Sequence, residues 1–485
     1  MTATAELTGG KRATLFHAGG RWVPAHGEAL DVMNPATGRL LGRVVAATAQ
    51  DVGQAVEQAR AAAPVCAALP LAERQRLLLR LRDLLARDTQ QLARLITAEM
   101  GMPLRQSVEA QVGWCAEVIE DAVAMAPDAL ADERTQQSVV RHPPVGVVAC
   151  ITPWNFPLHQ ILGRVAEAFA AGCPSVVKAS ELAPFSPLAL AGLVAEAGWP
   201  PGAFNLVSGG PDTGAALVAH PAVDLIAFTG STQRGRTVAR EAGGSLKRVL
   251  LELGGKSPSV VLDETHLEQA VRATLESCFF NSGQICSALT RLLVPRRLMD
   301  DVAQIAEDVL RGERTGDPLD PETVRGPLVS AAQLDRVRGY LGLARAAGTR
   351  MLGAPPPAAG GGYYVRPTVC LGTDPWSRLA TEEIFGPVLS VVPYETTEQA
   401  VTFANAGHYG LSARVWSADR DRALAVATGI RAGQVGINDS PFDGRAPFGG
   451  FKHSGTGRAH GVAGIRTFTE DQVLPLAPGG GKGTP

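Results

Sequence analysis

Residues 145–180 read VGVVACITPWNFPLHQILGRVAEAFAAGCPSVVKAS, and their texture decides the fold class. Val145–Ile151 is a short apolar run rich in β-branched residues, as in a strand buried on both faces. Leu158–Ala171 then places apolar residues at helical spacing and is closed by Gly172, a residue suited to ending a helix. Ser175–Lys178 returns to strand. The alternation continues through helix Pro187–Ala197 (closed by Gly198), strand Phe204–Val207, helix Asp212–His220, strand Leu225–Phe228, helix Ser231–Ala242 and strand Arg248–Leu251. Strand–helix alternation sustained this long predicts a parallel, doubly wound α/β sheet.

Upstream, residues 50–100 read as two amphipathic helices. The first carries Val52, Ala55, Val56, Ala59 and Ala63, and the second a stripe from Leu77 to Ile96. Downstream, strands at Ser259–Leu262, Leu292–Val294, Val388–Val392 and Gly433–Ile437, with helices between them, predict a second α/β domain. Gly353–Gly362 reads as a loop and Ala477–Pro485 as a disordered tail. The 485 residues carry 45 basic and 47 acidic side chains, a balance that argues against nucleic-acid or membrane-surface binding. Met1–Gly10 shows no signal pattern, and no apolar run approaches the ~18 residues of a membrane span. A soluble, cytoplasmic protein is expected. Seven scattered cysteines imply reduced thiols rather than a disulfide framework. With no Cys-x-x-Cys, no His-Glu-x-x-His and no histidine cluster, no metal is expected.

Four short stretches could carry chemistry. Phe228–Thr232 ends a strand in Thr229-Gly230 and opens a helix at Ser231, offering bare N–H groups to an anion; an ordinary Ser-capped turn reads the same way. Glu252 follows the apolar run Val249–Leu251, placed either as a general base at a strand end or as a surface partner of Lys256. Cys286 follows the polar turn Asn281-Ser282-Gly283-Gln284, unlike the other six cysteines, which sit mostly in apolar or alanine-rich runs. A nucleophilic thiol needs such access together with a depressed pKa. Asn155 lies between Pro153 and Pro157, where its amide could donate to an oxyanion or simply shape a turn.

Together, Pro153–Pro157, Phe228–Thr232, Glu252–Pro258, Gly283–Cys286, Glu383–Pro387 and Pro447–Arg458 stand in the order and spacing of the NAD(P)-dependent aldehyde dehydrogenase superfamily, which the chain resembles over residues 15–475. Its local texture looks like the bacterial broad-type enzymes. The resemblance implies a Rossmann-like cofactor domain (1–126 and 145–253), an α/β catalytic domain (254–465) and a small β bridging or oligomerisation arm (127–144 and 466–478), with 479–485 as tail. It implies a homodimer or homotetramer.

It further implies that Cys286 attacks an aldehyde, that Asn155 holds the oxyanion and that Glu252 activates water to hydrolyse the resulting thioester. Cofactor contacts would come from Ile151, Thr152, Pro153, Trp154, Lys178, Ser180, Glu181, Gly209, Thr229, Gly230, Ser231, Leu253, Glu383 and Phe385. Glu181 would repel a 2′-phosphate, so NAD is expected over NADP. Glu252 favours hydrolysis to a free acid over acyl transfer to coenzyme A. Phe156, Gly163, Phe280, Phe442 and Phe448 would line an apolar substrate tunnel for an aliphatic or aromatic aldehyde or a semialdehyde. Arg445 would anchor a remote carboxylate or remain a solvated loop residue near Asp443. Competing readings are a Cys-dependent esterase or acyl hydrolase on the same residues and a catalytically silent scaffold.

Overall fold

The computed structural model describes residues 13–355 and 361–476. Half of the loop predicted at Gly353–Gly362 (residues 356–360) and the whole tail at Ala477–Pro485 lie outside them. Two large sheets organise the chain. The first has eight strands, in the order Gly455–Thr456, Arg248–Glu252, Leu225–Thr229, Val148–Ile151, Ser175–Ser180, Phe204–Gly209, Leu15–Ala18 and Arg21–Pro24. The five strands between Arg248 and Gly209 are parallel, and antiparallel pairs close both edges. Read from Val148 in chain order, the parallel strands lie 3-2-1-4-5, so the topological switch falls between Val148–Ile151 and Leu225–Thr229.

Each predicted strand and helix of this region is present; five are one or two residues longer, two helices shift by one residue, helix His159–Ala171 starts one residue later, and the first strand is shortened to Val148–Ile151. Helix His159–Ala171 ends on Gly172 at φ 93, and helix Thr232–Gly243 is capped by Ser231. Residues 49–100 correct the expectation of two helices. The chain forms Ala49–Ala68, Leu71–Arg87 and Thr89–Met100, because the backbone turns out of helical geometry at Asp88 (φ −100, ψ 14) within an otherwise continuous leucine stripe. These helices and His159–Ala171 pack into a core containing Leu78, Leu81, Leu85, Ile96 and Phe169, with Phe169 stacked on Trp199 at 3.8 Å. Each such buried side chain stabilises the fold by about 1.5–3 kcal/mol.

The second sheet has seven strands, Arg350–Gly353, Thr368–Leu371, Val388–Tyr394, Leu289–Pro295, Ser257–Val261, Ser412–Trp416 and Gln434–Ile437, all parallel except the first pair. Only Leu253–Lys256 separates the last parallel strand of the first sheet from Ser257–Val261 of the second. A third sheet pairs Gln472–Pro475 with Ser138–Arg141 and that strand with Glu133–Arg134. Residues 127–129, placed by the sequence in this arm, instead continue helix Trp114–Ala129.

Candidate active site

The C-terminal ends of the five parallel strands of the first sheet bring together most of the residues expected to contact a cofactor. Ile151 ends one strand, and the Thr152 N–H donates to the Lys178 carbonyl at 3.2 Å. Gly230 donates to the Glu252 carbonyl at 3.1 Å, and the Ser231 hydroxyl accepts from the Arg234 N–H at 3.4 Å. A helix N-terminus therefore stands at the switch point, with its positive dipole end at the sheet's edge. Lys178 is buried, its ammonium 3.4 Å from a Glu181 oxygen that also lies 3.5 Å from the Ser180 hydroxyl; burial pulls the Lys178 pKa down. At Gly209 and Gly230 an added Cβ would collide with Thr213 and Phe228, so backbone stays bare there. Bare backbone, a helix dipole and a Lys–carboxylate pair fit the phosphates and ribose of a dinucleotide.

The N-terminal ends of the second sheet face this edge and carry the thiol. Asn281 (φ 50), Ser282 (φ 54) and Gly283 (φ 76) form a left-handed run just before Cys286. Such backbone costs about 1–3 kcal/mol per non-glycine residue and persists only where its surroundings fix it. Here they do. The Asn281 amide donates to the Asn155 carbonyl (3.1 Å), the Ser282 hydroxyl to the Gly326 carbonyl (2.7 Å), and Val329 N–H to Gln284 Oε1 (2.9 Å). Gly283 rests on the Gly386 backbone so closely that a Cβ would overlap it, which interlocks two motifs a hundred residues apart. Asn155 is buried, with Nδ2 donating to the Gln284 carbonyl at 2.9 Å and one amide hydrogen left over. Cys286 is partly accessible, whereas the other six cysteines are buried.

Two carboxylates close the site. Glu252 is buried with neither oxygen hydrogen-bonded, and burial pushes its pKa up to about 8, against the pull of Arg164 and Arg458 and with the push of Glu167. Glu383 accepts from the Gly255 N–H at 3.0 Å, and burial raises it to about 7. Gly254 packs on the Glu383 carboxylate and Gly255 on the Cys286 carbonyl, each too tightly for a Cβ. Burial, together with the Glu252 and Glu383 charges, pushes the Cys286 thiol up to about 12. The surroundings thus raise this thiol's pKa where the sequence reading asks for a depressed one, so forming the thiolate calls for a base beside it. Leu253 donates its N–H to the Ser454 carbonyl (2.9 Å), and Trp154 meets Phe385 (φ 62) edge-on at 5.5 Å, bridging the two halves.

The expected tunnel residues form two aromatic groups. Phe156 and Phe280 stack on Trp114 (5.9 and 6.1 Å), with His159 edge-on to Trp114 and Phe156; Phe442 and Phe448 contact each other and His460. A Cβ at Gly163 would stand 3.9 Å from His460 Cε1, so the space beyond it is bounded by an imidazole. Arg445 is exposed and pairs with Asp121 at 2.9 Å on helix Trp114–Ala129, while its N–H donates to Asp443. Trp114, His460 and Gln111, which holds the Asn155 carbonyl at 2.9 Å, went unnoticed in the sequence. Gln111 sits in the π-helical stretch Ser107–Gly113, with Trp114 directly after it; such widened turns often mark functional sites.

The chain matches the aldehyde dehydrogenase family over residues 22–474. It is 40% identical over 466 residues to a 3-succinoylsemialdehyde-pyridine dehydrogenase of Pseudomonas sp, covering 95% of this chain and 98% of that one. It is 38% identical over 458 residues to a geranial dehydrogenase of Castellaniella defragrans, covering 93% and 96%. Among solved structures, a mutant of aldehyde dehydrogenase C from Pseudomonas syringae, in complex with NAD+ and octanal, superposes with a TM-score of 0.94 at 39% identity, covering 96% and 98%. The NAD+ complex of a Bacillus cereus aldehyde dehydrogenase gives 0.93 at 34% identity, covering 98% of each chain. This chain belongs to the aldehyde dehydrogenase family.

Proposed function

We propose that the protein oxidises an aldehyde to the carboxylic acid with NAD as acceptor, through a covalent intermediate on Cys286. The observation that carries this reading is the buried, unpartnered Glu252 carboxylate next to the thiol, since a carboxylate raised to about 8 is a base poised near working pH. Glu252 takes the Cys286 proton as Sγ bonds to the aldehyde carbon. The spare Asn155 amide hydrogen and the Cys286 N–H hold the resulting oxyanion, each donor contributing roughly a hundred- to a thousand-fold in rate. Lys178, Glu181, Ser231 and Glu383 would hold NAD, which when bound would supply the hydride acceptor needed to turn the adduct on Cys286 into a thioester. Glu252, having released the Cys286 proton to solvent, removes a proton from water; the hydroxide adds to the thioester carbon, and the Cys286 thiolate departs with the electron pair and recovers a proton from Glu252.

Glu181 at the end of strand Ser175–Ser180 supports NAD over NADP. The octanal bound in one relative, and the geranial and pyridine-bearing semialdehyde in the names of two others, favour an aldehyde with a long apolar or aromatic tail, which suits the aromatic walls. Exposed Val473, Leu474 and Leu476 on the arm favour burial against a second subunit, in a homodimer or homotetramer. No helix of the described residues is long and apolar enough to cross a membrane, consistent with a cytoplasmic location. Incubation with an aldehyde panel and NAD, followed at 340 nm, tests the proposal: NADH and carboxylate should appear in equal amounts. Ester cleavage without NADH from any aldehyde would replace it with a hydrolase.

A further inference from the structure

Helix His159–Ala171 presents His159, Gly163 and Glu167 at i, i+4 and i+8, a single stripe. The His460 ring docks over Gly163, with Cε1 3.9 Å from where a Cβ would stand. Glu167 accepts the His460 backbone N–H at 2.7 Å and lies 3.7 Å from its Nδ1. His460 itself sits at φ 63, ψ 156, a region populated essentially by glycine, yet a bulky side chain occupies it. That strain is fixed by the Glu167 bond and aims the ring between Phe442 and Phe448, while His159 is held against Trp114 and Phe156. Nε2 of His460 and both ring nitrogens of His159 have no hydrogen-bond partner among the described residues. An aromatic tunnel built only for apolar tails has no use for the free Nε2 of His460 and the free ring nitrogens of His159.

We propose that His460 and His159 make the tunnel selective for aldehydes whose non-reacting end carries a neutral hydrogen-bonding group, such as a hydroxyl, on an aromatic body. This inference rests on the dehydrogenase reading and narrows its substrate class. Each neutral imidazole offers one donor and one acceptor, so it can meet a hydroxyl in either sense. A carboxylate tail is disfavoured because the Glu167 carboxyl already lies 3.7 Å from the His460 ring and accepts its backbone N–H. Arg445, the cation the sequence offered for a carboxylate, is tied to Asp121.

The test compares kcat/KM for 4-hydroxybenzaldehyde with that for the isosteric 4-methylbenzaldehyde, in the wild type and in His460→Leu. Intrinsic reactivity and any general damage cancel in the ratio of the two ratios. The hydroxyl preference should fall by roughly tenfold in His460→Leu, the loss expected for one hydrogen bond, and in His159→Leu as well. His460→Gly, which relieves the backbone, substitutes if the leucine variant does not fold. An unchanged ratio in both positions overturns the proposal and leaves the dehydrogenase intact. A wild type that makes NADH from no aldehyde overturns the dehydrogenase reading, and this one with it.

Discussion

The two parallel sheets meet at the site with opposite ends. The first offers the carboxyl ends of its strands, where open α/β sheets ordinarily bind ligands. The second offers its amino ends: Cys286 stands three residues before strand Leu289–Pro295, and Glu383–Pro387 leads into Val388–Tyr394. The short hand-over Leu253–Lys256 forces this arrangement, because a strand leaving the first sheet at its carboxyl edge enters the second at its amino edge. The comparison separates the labours of the two halves. Helix dipoles and bare amides at the first edge suit a charged cofactor, whereas the amino edge of the second has no such general-purpose device. Its chemistry instead depends on a strained loop, held residue by residue.

That contrast can be broken by substitution. Cys286→Ala should abolish aldehyde-dependent NADH formation, a loss on the order of 10⁶-fold as for other enzymes stripped of a nucleophile, while NAD binding measured by protein fluorescence persists. Glu252→Gln should cut steady-state turnover by about 10²–10⁴-fold. In the wild type the carboxyl is raised to about 8, so below that pH it is protonated and idle; kcat should rise with pH through about 8, and the glutamine variant should lose this limb. Gly283→Ala puts a Cβ at φ 76 and into the Gly386 backbone, and should lower stability by at least about 1–3 kcal/mol in urea unfolding, with activity falling too. Glu181→Gln, at the tolerant edge, should do least: the NAD/NADP preference in kcat/KM should shift toward NADP by roughly tenfold, corresponding to about 1.4 kcal/mol. Comparable losses at both edges would dissolve the distinction.

The sheet that reads most clearly from sequence is the first, because its strands are buried on both faces and each helix between them is punctuated by a cap such as Gly172 or Ser231. Glu252 and Cys286 were legible for a related reason: polar or glycine-rich residues directly after, or shortly before, an apolar run mark a sheet edge. What stayed hidden depends on contacts far apart in the chain. Nothing around Trp114 says that a π-helical stretch will turn it against Phe156 and Phe280. The Arg445–Asp121 pair spans 324 residues, so a partner for this loop arginine beyond Asp443 could not be read from its neighbours. The thiol's raised pKa comes from burial and two carboxylates that only the assembled fold brings near it.

The glycines at 254, 255 and 283 have one more consequence. A side chain at Gly255 would push on the Cys286 carbonyl, one at Gly283 on the Gly386 backbone, and one at Gly254 on the Glu383 carboxylate, so each substitution would disturb part of the site. Engineering a new substrate range into this scaffold must therefore leave that spine untouched and work at Trp114, Gly163 and His460, where redesign alters what fits without disturbing what reacts.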